Sequence, residues 1–153
     1  MVITDQEILD YIFKKWGKQE EMRAFNEQYR YTPPYPTLHV EDFVPPHVAK
    51  ALHEESKTIP KAFWTTFTRA DSYMEECNDL EEAPVARAVV SALHSKSFLT
   101  WLSKVCDVGH LLPDPYLVGA GYMKSYTGDS LKIHTDFNWN EQCQTHRALS
   151  LIL

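Results

Sequence analysis

In the stretch "GYMKSYTGDSLKIHTDFNWN", His134 and Asp136 stand two residues apart. On a β-strand, residues i and i+2 point to the same face. In "LKIHTD" that alternation turns Leu131 and Ile133 to one side and His134 and Asp136 to the other. The apolar side can bury while the other presents an imidazole and a carboxylate together. A neutral imidazole nitrogen and an anionic oxygen aimed at one point supply two sites of a metal shell. With a second histidine they make the 2-His-1-carboxylate triad, which leaves three positions of an Fe(II) ion open for a bidentate cosubstrate and oxygen. The motif is short, so on the residues alone two other readings stay open. His134 and Asp136 can be hydrogen-bonded on a solvated strand of a non-catalytic binding module. They can also belong to a metal-dependent hydrolase, although that class needs further Asp, His or Asn ligands and the sequence offers none well placed.

Several elements must position these residues. Thr4 and Glu7 form a capping box, and Ile8, Tyr11, Ile12 and Trp16 recur at helical spacing. Met22, Phe25 and Tyr29 mark a second helix, which "YTPPYPT" ends because proline fixes φ and withholds a donor. "LHVEDFV" predicts a short strand with Leu38, Val40 and Phe43 inward. Pro45 and Pro46 suit the first turn of a helix carrying Val48, Leu52 and Ile59. "FWTTFTRA" predicts a strand and "DSYMEECNDLEEA" a solvated acidic loop. "PVARAVVSALHS" and "SFLTWLSKVC" predict two helices, with core stripes Val85, Ala88, Val89, Ala92 and Phe98, Trp101, Leu102, Val105. From "LLPDPYLVGAGYMKSY" onward the period changes to two, which predicts a strand; "TGDS" is a turn, and "LKIHTD" and "RALSLIL" are two more strands. The fold class is therefore α+β, with helices packed against the start of an antiparallel sheet.

Composition narrows the function classes. A chain of 153 residues suits one domain, and 44% hydrophobic residues suit a folded one. Net charge is −6 and the isoelectric point is near 5.6, which disfavours nonspecific binding to nucleic acid or anionic membrane. No apolar run approaches the roughly 20 residues of a membrane helix, and the N-terminus lacks the basic-then-apolar pattern of a signal peptide. Cys77, Cys106 and Cys143 lie far apart with no CxxC pair, which suits a reducing cytoplasm and argues against a cysteine zinc site.

The sequence also resembles the prolyl 4-hydroxylase-like dioxygenases that depend on Fe(II) and 2-oxoglutarate. The resemblance lies in "LLPDPYLVGAGYMKSYTGDSLKIHTDFNWN", continues into "RALSLIL", and extends upstream to "LHVEDFVPPHVAKALHEE" and "SKSFLTWLSKVCDVGHLLPDP". It covers residues 36–153 as the N-terminal part of a dioxygenase domain, with residues 1–35 as a helical extension outside it. It implies a double-stranded β-helix, or jelly roll, with helices buttressing the larger sheet. It implies an oxidoreductase that hydroxylates a C–H bond of a protein side chain, peptidyl proline among them, or of a small molecule, with O2 as co-reactant and ascorbate among its cofactors. Carried over residue by residue, His134 and Asp136 are the first two iron ligands. Tyr126 looks like the tyrosine that hydrogen-bonds 2-oxoglutarate, with Tyr122 the second candidate.

The chain departs from the family pattern after Asp136. A second iron histidine and a basic anchor for 2-oxoglutarate belong several dozen residues on, and only 17 residues, 137–153, follow. His146 lies where the family has no ligand, and Arg147 reads as a structural or surface pair. "LSLIL" would be an unpaired apolar edge, which finished domains avoid, and a jelly roll needs about eight strands. The expectation is an inactive or incomplete portion of a longer protein, or a chain that closes its sheet with another subunit.

Overall fold

Thr4 opens the first helix as the sequence predicts, its Oγ1 accepting from the Glu7 amide at 3.2 Å. The Glu7 carboxylate does not complete a capping box; it pairs with His47 Nε2 at 2.8 Å. The computed structural model describes residues 2–69 and 72–153. Among them are five α-helices: α1 (Asp5–Trp16), α2 (Gln19–Tyr31), α3 (Pro46–Thr58), α4 (Pro84–His94) and α5 (Lys96–Val105). The strands are β1 (Thr65–Arg69), β2 (Ser72–Cys77), β3 (Tyr122–Lys124), β4 (Trp139–Asn140) and β5 (Thr145–His146). The protein is thus mixed helix and sheet. Its described strands form two small antiparallel sheets, β1-β2-β3 and β4-β5, with no closed barrel. No described helix is long and apolar enough to cross a membrane.

The chain divides into two compact units, Met1–Glu54 with Val85–Pro113, and Glu55–Pro84 with Asp114–Leu153. The first is helical. Ile8 and Ile12 of α1, Val48 of α3, Val89 and Ala92 of α4, and Phe98, Trp101 and Val105 of α5 are all buried. Within α4, Ala86 is buried while Val85 and Ala88 are only half-buried, so the apolar stripe is rotated slightly from the predicted one. A chain of aromatic contacts runs through this unit. Trp16 meets Phe25 with ring centres 5.3 Å apart, Phe25 meets Trp101 at 6.3 Å, and Trp101 meets Phe98 at 5.5 Å. The Trp101 indole N–H donates to the Trp16 carbonyl at 3.1 Å, so the ring buries without an orphaned donor. Residues 38–44, predicted as a strand, form none: Asp42 turns the chain at φ 51°, and Phe43 reaches the aromatic chain from irregular backbone, 6.0 Å from Phe98.

The second unit carries the sheet. β1 matches the strand predicted in "FWTTFTRA", though Ala70 lies outside the described residues. Of the acidic segment 71–83 predicted as a loop, Asp71 lies outside the described residues, 78–83 form no strand, and 72–77 are instead strand β2, pairing Thr65 with Glu76 and Thr66 with Glu75. Its carboxylates obscure the strand in sequence, yet a small sheet tolerates charge where solvent reaches one face. β3 is the second correction. The strand predicted through the alternation of residues 117–123 shrinks to Tyr122–Lys124, because Leu117, Gly119 and Gly121 take positive φ and break the extended run. Gly121 is required at its position: a Cβ there would collide with the Cys77 carbonyl oxygen and approach Asn78 Cα to 2.9 Å.

The predicted strands "LKIHTD" and "RALSLIL" also do not form. A strand exists only where a neighbour pairs with its backbone, and the described residues supply no ladder partner for 131–136 or 148–153. What orders this region is the β4-β5 hairpin. The Asn140 carboxamide oxygen accepts from the amides of Gln142 and Cys143, Gln144 turns at φ 53°, and the Arg147 amide donates to the Asn138 carbonyl at 3.0 Å.

Candidate metal centre

His134 and Asp136 lie on irregular, exposed backbone, yet their side chains meet. His134 Nε2 is 3.3 Å from Asp136 Oδ1, with each side chain about half exposed. The other ring nitrogen, Nδ1, is 2.7 Å from the Lys132 carbonyl oxygen. A carbonyl only accepts, so Nδ1 carries a hydrogen and Nε2 is the nitrogen free to ligate. Metal-binding histidines are held in this manner, by a carbonyl or carboxylate on the nitrogen that does not ligate. In the neutral imidazole, the Nε2 lone pair and a carboxylate lone pair then converge, which is unfavourable unless a cation or a second ring proton lies between them.

The spacing fits a cation. Two donors about 2.1 Å from an ion and at right angles are about 3.0 Å apart. The observed 3.3 Å is close to that edge, a spacing at which these two side chains could share one ion. They are two candidate ligands. No group of three or more His, Cys, Asp or Glu side chains able to hold a metal occurs among the described residues.

The second oxygen of Asp136 has its own partner, which sequence reading assigned only to an unspecified pair. Arg147 Nη2 stands 3.1 Å from Asp136 Oδ2. The guanidinium carbon lies 4.8 Å from the centre of the Phe137 ring, a cation–π contact that braces it. His146, beside Arg147, is engaged elsewhere. Its Nδ1 is 3.3 Å from the Asn138 carbonyl, and its ring meets Trp139 edge-on at 4.9 Å. Trp139 therefore packs against its cross-strand partner while remaining partly exposed.

The two tyrosines predicted to hold 2-oxoglutarate take carboxylate partners. Tyr122 is half-buried and donates to Glu55 Oε1 at 2.9 Å; burial, then the Glu55 hydrogen bond, pushes its hydroxyl far above the usual tyrosine range. Tyr126 is exposed and donates to Glu75 Oε2 at 2.8 Å, and that bond raises its pKa. Tyr126 and Glu75 line a cavity of about 260 Å³ with Ile59, Trp64, Lys61 and Lys124. Lys124 Nζ sits 3.7 Å over the Trp64 ring. Sequence reading missed this basic, aromatic setting because its members come from 59–64, β2 and β3, and no local spacing links them.

No protein-family model and no curated protein matches the chain.

Proposed function

We propose that this chain carries the first two iron ligands, His134 and Asp136, of an Fe(II)- and 2-oxoglutarate-dependent dioxygenase of the prolyl 4-hydroxylase-like kind. The observation that supports it best is the 3.3 Å approach of His134 Nε2 to Asp136 Oδ1, with Nδ1 tied to the Lys132 carbonyl. On this reading the β1-β2-β3 sheet belongs to a jelly roll.

The chain's own residues would divide the work. His134 offers a fixed tautomer, and Asp136 offers one oxygen and one negative charge. Tyr126, with Lys61 and Lys124 nearby, lines a cavity suited to a carboxylate of 2-oxoglutarate, once its hydroxyl leaves Glu75. When bound, Fe(II) with 2-oxoglutarate and O2 supplies oxidation of a substrate C–H bond, with ascorbate as accessory reductant. The substrate class is a protein side chain or a small molecule. A reducing cytoplasm suits the three free thiols.

The test is anaerobic titration of the chain with Fe(II), or with Mn(II) as its surrogate. Two protein ligands predict weak binding that His134→Ala or Asp136→Ala abolishes. Unchanged binding in either variant overturns the reading. It would favour the second one, in which His134, Asp136 and Arg147 form a surface ion-pair chain on a non-catalytic module, as the 3.1 Å contact of Arg147 with Asp136 allows.

A further inference from the structure

We propose that Arg147 is a positioning residue that makes Asp136 a one-oxygen ligand; the proposal rests on the metal-centre reading above. The two carboxylate oxygens of Asp136 are already assigned to different neighbours. Oδ1 faces His134 Nε2 at 3.3 Å, and Oδ2 faces Arg147 Nη2 at 3.1 Å. An ion seated between Nε2 and Oδ1 therefore meets a single oxygen, because the guanidinium holds the other.

Arg147 is held at its backbone and at its guanidinium. Its backbone amide donates to the Asn138 carbonyl at 3.0 Å, one step beyond the β4-β5 ladder. Its guanidinium rests on Phe137 at 4.8 Å, and its side chain is only 24% exposed. The hairpin register thus delivers a permanent cation to one chosen oxygen. Arginine suits the task because its planar group keeps its charge and loses little freedom on pairing.

Ion choice follows. Calcium accepts carboxylates through one oxygen or two in a flexible shell, while smaller octahedral ions need fixed, single donors. Holding Oδ2 back favours the smaller ion. Arg147 also places a positive charge near the site, which by itself would repel any cation. The sign of a substitution therefore separates positioning from repulsion.

The experiment compares Mn(II) and Ca(II) binding to the whole chain. Free Mn(II) is read by electron paramagnetic resonance, and Ca(II) by competition against it. Arg147→Ala should weaken Mn(II) binding about tenfold, as loss of a ligand's hydrogen-bonded partner commonly does. Ca(II) binding should weaken less, so the Mn(II)-to-Ca(II) preference narrows. Arg147→Lys should recover part of the Mn(II) loss, and it gives a reading even if Arg147→Ala unfolds by circular dichroism. Mn(II) binding that is unchanged or tighter in both variants, with an unaltered metal preference, would make Arg147 a bystander or a competitor and overturn the proposal. Failure of the underlying reading looks different: His134→Ala would then bind Mn(II) as the unaltered chain does, and Arg147 would have no ion to position.

Discussion

The two compact units bury their apolar side chains to different extents. In the helical unit, Ile8, Ile12, Phe98 and Val105 are withdrawn almost completely from water. In the sheet-bearing unit, Leu131, Ile133, Leu151, Ile152 and Leu153 stand exposed, and Ile133 keeps its whole surface accessible. The difference lies in what each pattern needs. A helix satisfies its own backbone, so an apolar stripe needs only another stripe to pack on. An alternating segment must first find a backbone partner, and residues 131–136 have none among the described strands. The candidate metal pair belongs to this second, less buried region.

That comparison can be broken by substitution. Phe98→Ala should have the largest effect, destabilising by about 3–5 kcal/mol in urea unfolding followed by tryptophan fluorescence, because it opens a cavity beside Trp101. A loss below about 1 kcal/mol would mean that the helical core is not packed as described.

Alkali probes the same core. Burial pushes the Cys106 thiol up to about 11 from an ordinary value near 9. The folded chain therefore keeps a proton that the unfolded chain releases earlier. Stability from this group is complete below about pH 9 and is lost as pH rises toward 11, on the order of 2–3 kcal/mol in all. Unfolding measured from pH 8 to 11 should show that decline in the natural chain. Cys106→Ala should flatten it.

In the sheet-bearing unit, Gly121→Ala should cost on the order of 1–3 kcal/mol, since it combines positive φ with a collision at the Cys77 carbonyl. Amide exchange in β2 and β3 should accelerate. Unchanged protection there would show that Gly121 does not control the pairing. Ile133→Ser should have the smallest effect, within about 0.5 kcal/mol, because the side chain is already in water. A loss of 2 kcal/mol or more in thermal unfolding would show that this segment is packed after all and would erase the contrast between the units.

Much of the candidate site is legible in the sequence. His134 and Asp136 are close in sequence, and two residues of chain bring their side chains into range even without the strand that alternation predicted. Arg147 was not legible as the partner of Asp136, because the hairpin register between Asn138 and Arg147 places it there. The carboxylates that hold the tyrosines were hidden for the same reason: Glu55 and Tyr122, or Glu75 and Tyr126, are distant in sequence.

The sequence alone determined the five helices, the capping role of Thr4 and most of the buried stripe residues. Those features depend on contacts within one or two turns, which residue types and spacing encode directly. Tertiary structure decided which extended segments became strands, which glycine had to lie against Cys77, and which cation faced Asp136. Strand pairing and ion pairing are made between distant parts of the chain. An alternating pattern states only that a partner would be accepted, and the fold decides whether one arrives.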